Sequence, residues 1–427
     1  MKQNSLRPVA IVGGVRIPFC RSGTAYQGLS NKDMLARTLQ ALTERYALNG
    51  QRLDEVVGGA VVTHSRDWNL AREALLSTSL APDTPGITMQ QACGTSLQAA
   101  MTIGAKIATG QIESGIACGA DTTSDPPIVF SRRFAQRMIR LSKARDIKSK
   151  LGVFKGMGLG ELKPEPPSVS EPRTHLSMGQ HCELMAKEWA ISREDQDAFA
   201  VTSHQRATAA YDEGFFDDIV VPCEGVARDN NLRADTSLES MAGLRTVFDK
   251  TDKGTLTAAN STALTDGAAA VLLAAEDWAK ERELPILAYL THSRTAAVDF
   301  VRGEGLLMAP TVAVSEMLRG AGRALQDFDF YEIHEAFAAQ VLSTLKAWES
   351  ESYCRDRLGR DQPLGTIDRD KLNVKGSSLA VGHPFAATGA RILGVMAKLL
   401  EQNGSGSGLI SVCTAGGMGV SAILERN

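Results

Sequence analysis

The sequence predicts an α/β fold, and three observations predict it. Short β-rich runs alternate with segments of helical spacing, the pattern that builds parallel sheet. Buried strand candidates such as residues 115–121 are apolar or small and bounded by glycine. The two halves of the chain also resemble each other. Met89-Gln90-Gln91-Ala92-Cys93-Gly94 precedes a small-residue helix, and Leu379-Ala380-Val381-Gly382-His383-Pro384 precedes another, at Thr388-Gly389-Ala390-Arg391-Ile392-Leu393. Each half then closes in a glycine-flanked strand, around Cys118 and around Cys413. A duplicated fold places both helix N-termini near one pseudo-twofold axis and brings Cys93 to His383.

Residues 9–13 form the first β-rich run, and Pro18 ends any strand there. Residues 31–48 carry helical spacing through Met34, Leu35, Leu39 and Leu42, with Asn31 as the cap. A strand over 56–62 and a helix over 69–76 follow, then a short strand at Ile87, Thr88 and Met89. A helix runs from Cys93 to about Thr109, and residues 115–121 are the next strand. Composition changes after Ser124, where Pro126-Pro127 breaks the pattern. Residues 124–259 are therefore expected to be an insertion carried by the first half.

Within it, Arg132, Arg133, Arg137, Arg140, Lys143, Arg145, Lys148 and Lys150 are opposed only by Asp146, while Phe134, Met138 and Leu141 recur at helical spacing. That predicts one basic amphipathic helix over 132–150: a solvated face, a phosphate clamp, a partner-subunit surface or a membrane-surface contact. Residues 152–172 are Gly/Pro-rich and irregular, 177–189 and 192–213 read as helices, and 229–252 is polar and loop-like. Regular structure resumes at 260–268 with a β run at 271–274. A second α/β half starts near Pro285, with strands at 286–290 and 330–333, helices at 312–325 and 336–348, and closing stretches at 379–400 and 408–424. The expected domains are 1–123 continued at 260–283, the insertion 124–259, and 284–427.

A chain of 427 residues has room for about two or three domains. Its 43% hydrophobic and 22% charged content is that of an ordinary soluble protein, and a net charge of −3 gives no general attraction to nucleic acid or membrane. No apolar run reaches the ~18 residues of a membrane span. Residues 1–8 are polar, and the apolar run 9–12 is too short for a signal peptide. Seven cysteines form no CxxC, and His175, His181 and Cys182 have no second ligand pair, so no metal site is expected. Unpaired thiols predict a cytoplasmic protein.

Four side chains carry candidate chemistry. Cys93 falls where a strand or loop turns into a helix, at the electropositive end that favours a thiolate nucleophile. A buried packing cysteine also fits that stretch alone. His383 stands at the start of the paired helix, where a neutral imidazole can take the Cys93 proton or be purely structural. Cys413 precedes Thr414-Ala415-Gly416-Gly417, a turn whose N–H groups can face an oxyanion, or it is a buried strand cysteine. His334, between an apolar strand and a helix, can hold a water or a carbonyl, or merely pack. Glu335 can orient a neighbour or cap the helix.

Cys93 with Gly94-Thr95-Ser96, His334-Glu335-Ala336-Phe337, Gly382-His383-Pro384 with Gly389-Ala390-Arg391, and Cys413 with its glycines stand in the order and spacing of the thiolase family. The chain resembles that family over essentially its whole length, including residues 16–19 and 260–268. His334 stands where asparagine is common, a variant that resembles the β subunit of fatty-acid oxidation multienzymes.

The resemblance implies a duplicated five-layered α-β-α-β-α core with an inserted loop domain. It implies thiolytic cleavage of 3-ketoacyl-CoA in β-oxidation, with Cys93 as nucleophile and Cys413 moving the α-proton. His383 and a water near His334 would hold the enolate oxygen, and the backbone N–H groups of Cys93 and Ala415 the tetrahedral oxyanion. Ser177, Met178, Thr262, Ala336 and Phe337 would line the CoA channel, with basic residues of the insertion near the phosphates. CoA is then a substrate and no cofactor is implied. Implied partners are a second copy, as a homodimer or dimer of dimers, and a hydratase/dehydrogenase α subunit. The condensing acetyl-CoA C-acetyltransferase reaction stays open. A decarboxylating ketoacyl synthase would use a cysteine and two histidines but has no need of Cys413. A non-catalytic lipid carrier would make all four groups a coincidence.

Overall fold

Sheet pairing repeats itself in the two halves of the chain. The computed structural model describes residues 6–427, so most of the polar start expected over 1–8 lies outside the described residues. In the first half, Glu55–Gly59 pairs in parallel with Gly86–Thr88 and Ser114–Asp121, and Ser114–Asp121 pairs antiparallel with Thr265–Ala275, which pairs antiparallel with Val9–Arg16. In the second, Phe330–Ile333 runs parallel to Gly406–Thr414, which pairs antiparallel with Met418–Arg426, and that strand pairs antiparallel with Ala288–Ala297. The halves join along one edge, where only Ala10 and Ile11 pair with Tyr289 and Ala288.

The central strands are buried on both faces, which is why Val9–Arg16, Ser114–Asp121 and Thr265–Ala275 are apolar or small throughout rather than alternating. Between the halves lie two helices, Thr95–Ala108 and Thr388–Asn403. Thr388–Asn403 is buried continuously from Thr388 to Leu400, the mark of a helix enclosed on all sides. Outer helices such as Asn31–Arg45 and Ala309–Ala321 cover the far faces, giving an α-β-α-β-α layering.

The strands Gly406–Thr414 and Met418–Arg426 are joined by a tight turn with Gly416 and Gly417 at positive φ. The corresponding pair in the first half, Ser114–Asp121 and Thr265–Ala275, is joined instead by the long segment containing residues 124–259. That segment thus leaves the sheet at the end where the catalytic candidates lie. It touches the other half's turn, since Glu171 accepts a hydrogen bond of 2.9 Å from the Gly416 N–H.

Several local expectations are corrected. The first helix is capped by Ser30, whose hydroxyl accepts from the Asp33 N–H in a capping box, and Asn31 is its first helical residue. The strand expected over 56–62 stops at Gly59, because the Asp121 carboxylate takes the N–H groups of Val61 and Val62. The single basic helix is two, Arg132–Lys143 and Ile147–Gly152, broken at extended Ala144 and restarted by the Asp146 cap. The polar stretch 229–252 contains a short helix, Leu238–Ala242. Within 379–400, Gly382 at a φ of 101° separates Ser378–Val381 from the helix Thr388–Asn403, which starts where the sequence places it.

The two central helices cross at Gly389, where a Cβ would lie 2.3 Å from the Leu97 backbone nitrogen. The Ala390 N–H donates to Ser96 Oγ at 2.8 Å across the same contact. Gly389→Ala gains about 1 kcal/mol of helix propensity but places a methyl against backbone that cannot rotate away. We expect net destabilisation of about 2 kcal/mol, read as a lower midpoint of thermal unfolding. An unchanged midpoint would show that the crossing has slack.

Candidate active site

Cys93 sits on a strained turn. Ala92 adopts φ 46°, the left-handed region that side chains avoid. Thr95 holds the turn closed: its hydroxyl donates to the Ala92 carbonyl at 2.7 Å and accepts from the Gln91 N–H at 2.9 Å. Helix Thr95–Ala108 follows directly, so the sulfur stands at the helix N-terminus and is only 8% exposed.

His383 is set on a second turn. Gly382 is required there: besides its positive φ, a Cβ would lie 2.8 Å from the Thr265 methyl carbon. The His383 N–H donates to Thr265 Oγ1 at 2.7 Å, Nδ1 lies 2.6 Å from Thr388 Oγ1, and Nε2 lies 3.1 Å from Cys93 Sγ. With the ring proton on Nδ1 and donated to Thr388, Nε2 presents its lone pair to the thiol.

His334 lies at the end of Phe330–Ile333, held by its N–H to the Ser411 carbonyl at 2.8 Å. Its ring packs on that of His383 with centroids 4.1 Å apart. Nδ1 meets Ser378 Oγ at 2.8 Å, while the buried Nε2 has no hydrogen-bond partner among the described residues. The Cys93 sulfur and one nitrogen from each of His334 and His383 lie within 4.8 Å of one another. Three donors are fewer than a structural zinc site uses, and the sulfur–imidazole hydrogen bond already engages two of them. Glu335 does not cap the helix that follows it, Ala338–Glu349. Its carboxylate accepts from Ser203 Oγ, Asn373 Nδ2 and the Leu379 N–H, tying the strand end to the segment before His383.

Cys413 ends the neighbouring strand, 1% exposed, and the thiols of Cys93 and Cys182 are close enough to raise its pKa further after burial has pushed it well up. Burial likewise lifts the Cys93 thiol to about 12, against the opposing pull of the backbone N–H groups of Ala415 and of Cys93 itself. Those two donors converge on the sulfur's position. Burial, and then the charge of Arg391, lowers His383 to about 3. Burial thus works against the charged form of each group, raising the thiol and lowering the imidazole, and favours a neutral thiol beside a neutral imidazole at rest.

Met178, Ala336, Phe337 and Cys413 share one apolar cluster. Ala336 accepts from both the N–H and the hydroxyl of Thr262 at 3.1 Å, and Phe337 meets Phe248 edge-on at 5.9 Å. Ser177 caps helix Met178–Glu188 with its hydroxyl, so that oxygen is engaged with the Gln180 N–H. Sequence reasoning missed Arg21, His204, Asn231, Arg233 and Ser240. They line a cavity of about 110 Å³ that also touches Ser261 and Leu379, neighbours of Thr262 and Ser378. Their signal was two arginines and several polar groups scattered over distant stretches, which no spacing rule connects.

Since the Cys93 pKa is raised, its thiolate fraction grows about tenfold per pH unit below that value. Alkylation of Cys93 by iodoacetamide should accelerate with rising pH through the neutral and alkaline range. A rate already flat from mildly acidic pH upward would mean a resting thiolate–imidazolium pair.

Known proteins match this chain along its length. The family model described as "Thiolase, N-terminal domain" matches residues 9–277, and "Thiolase, C-terminal domain" matches residues 284–426. The chain is 42% identical over 423 residues to a 3-ketoacyl-CoA thiolase of Shewanella sp. (strain W3-18-1), covering 98% of this chain and 96% of that one. Its structure is similar to the Bacillus anthracis acetyl-CoA acetyltransferase, with a TM-score of 0.82 and 29% identity over 99% of this chain and 100% of that one. It is also similar to human mitochondrial 3-ketoacyl-CoA thiolase, with a TM-score of 0.82 and 27% identity over 99% and 100% of the two chains.

Proposed function

The chain belongs to the thiolase family, and from that premise we propose that it cleaves 3-ketoacyl-CoA with CoA, giving acetyl-CoA and a shortened acyl-CoA through an acyl-Cys93 intermediate. It is an acyltransferase of fatty-acid degradation. The observation that carries the mechanism is the 3.1 Å contact between Cys93 Sγ and His383 Nε2 in a cleft that also contains Cys413.

His383 Nε2 takes the Cys93 proton as the sulfur attacks the keto carbon. Charge therefore appears only when substrate is present to absorb it. The oxygen of the tetrahedral adduct meets the N–H groups of Cys93 and Ala415. Collapse breaks the bond between the keto carbon and the α-carbon, leaving the acyl group on Cys93 and acetyl-CoA as its enolate. The enolate oxygen faces His383 and His334, and Cys413 gives its proton to the carbon. The Cys413 thiolate then takes the thiol proton of a second CoA, which attacks the acyl thioester. Cys93 leaves and recovers its proton from His383. No step of this cycle calls for a resident cofactor or metal.

In this reading CoA lies along the inserted loop domain, residues 124–259, between the halves 1–123 with 260–283 and 284–427. Met178, Ala336 and Phe337 wall the pantetheine, with Ser177 and Thr262 beside it. Arg21 and Arg233, exposed at the mouth of the neighbouring cavity, meet the phosphates. The working unit is a homodimer or dimer of dimers in the cytoplasm; among the described residues no helix is long and apolar enough to cross a membrane. A hydratase/dehydrogenase α subunit would dock on the face of Arg132–Lys143, a helix with no buried residue that exposes Ile139 among its arginines. Isolation from native cells without such a subunit would count against that partner. The condensing direction passes through the same transition states and is a matter of metabolite levels.

Thiolysis of acetoacetyl-CoA and of a long-chain 3-ketoacyl-CoA by wild type and variants tests the scheme. Cys93→Ala should form no acyl-enzyme with either substrate, seen by mass spectrometry of the intact chain; labelling elsewhere would displace Cys93 as nucleophile. Cys413→Ala should still acylate slowly at Cys93 but lose α-proton exchange of acetyl-CoA by about 10²–10⁴-fold. Wild-type exchange in that variant would remove Cys413 from the mechanism.

A further inference from the structure

We propose that Arg391, acting through the Ser378 hydroxyl, fixes the tautomer of His334 so that its Nε2–H faces the cleft as a standing donor to the enolate oxygen. Arg391 and Ser378 are positioning residues in this scheme. The inference rests on the role given to His334 above and adds what makes that ring a donor.

A guanidinium has only donors. Arg391 Nη2 reaches Ser377 Oγ and Ser378 Oγ, each at 3.0 Å, so the Ser378 oxygen accepts. Its own proton must still go somewhere. The other partner of that hydroxyl among the described residues is His334 Nδ1 at 2.8 Å. The hydroxyl therefore donates to Nδ1, and the neutral ring carries its proton on Nε2. That nitrogen is buried and meets no protein acceptor, so its N–H is free for a ligand oxygen.

His383 shows the contrast. Thr388 Oγ1, 2.6 Å from its Nδ1, has no arginine behind it. The threonine oxygen is free to accept the Nδ1 proton, and Nε2 stays bare to receive the thiol proton of Cys93. Two imidazoles in contact thus hold opposite tautomers, one a base and one a donor. For His334 the arginine behind the hydroxyl makes the choice; for His383 the Cys93 thiol donating to Nε2 makes it, and Thr388 accepts the Nδ1 proton.

Electrostatics agrees with the geometry. Burial, then the neighbouring His383 and Arg391, holds His334 well below its ordinary range, so the ring stays neutral and the hydroxyl, not a second ring proton, occupies Nδ1. Arg391 is itself buried, and burial draws it below its ordinary range, with the neighbouring Glu332 carboxyl opposing that shift; burial pushes Glu332 itself up to about 8. An asparagine at position 334 would present its amide donor without such help. A histidine has two nitrogens and needs one of them assigned.

Histidine-selective ¹⁵N labelling of the full chain, with seven histidines to resolve, reads the tautomer directly. His334→Ala assigns the signal by its loss. The wild-type ring should show the Nε2–H form. In Ser378→Ala that preference should be lost, with α-proton exchange of acetyl-CoA falling by about tenfold or more, a fraction of the roughly 10²–10³-fold cost of deleting an oxyanion donor. Acetyl transfer from acetyl-Cys93 to CoA should change little, and Ser378→Thr should restore both readouts. An Nδ1–H signal in the wild type overturns the proposal even if Ser378→Ala does not fold, as does wild-type exchange in a folded Ser378→Ala. Failure of the underlying role is separate: wild-type exchange in His334→Ala removes His334 from the enolate site altogether.

Discussion

Two helices approach so closely that Gly389 has no room for a side chain against the Leu97 backbone, and the cleft exists because of that approach. Each helix begins just after a turn that holds a reactive group. Bringing the two helices together at their first turns brings Cys93 Sγ to His383 Nε2. Ala92 and Gly382, both at positive φ, then aim the two side chains inward. Strain at these turns is sustained because the surrounding hydrogen bonds, from Thr95 on one side and Thr265 on the other, leave the backbone no alternative.

Burial governs the chemistry of the cleft. It works against the charged form of both thiols and both imidazoles. The donors proposed for the developing oxyanions are backbone N–H groups and an imidazole N–H, whose dipoles act strongly in a dry site. Behind them lies a polar scaffold that keeps the donors oriented. Asn373, Ser203 and the Leu379 N–H satisfy Glu335, and Arg391 holds Ser377 and Ser378. Buried Arg391 is proposed to act on a ring proton without touching substrate.

Duplication explains where the long inserted segment enters. The second half closes its strand pair with a turn through Ala415, Gly416 and Gly417. The first half replaces that turn with a long excursion, which therefore emerges beside the cleft and returns to it at Thr262. One copy of the motif keeps the turn proposed to supply an oxyanion donor, while the other has exchanged its turn for the segment on which CoA is proposed to lie.

Cys93, His383, Cys413 and His334 were legible in the sequence because chemistry of this kind concentrates in short stretches with glycine and small residues around a reactive side chain. The alternation of strand and helix and the internal repeat were legible for a similar reason: periodicity is local. Helix ends were less so, as at Ser30 and Ala144, where one capping bond or one extended residue decides the boundary. Residues 21, 204, 231, 233 and 240 share a cavity only because the fold brings distant loops together. The tertiary structure alone decided the proton positions too. A histidine's tautomer depends on what its partner's partner is, here a serine 44 positions away and an arginine beyond it, and no pattern along the chain encodes a hydrogen bond two steps removed.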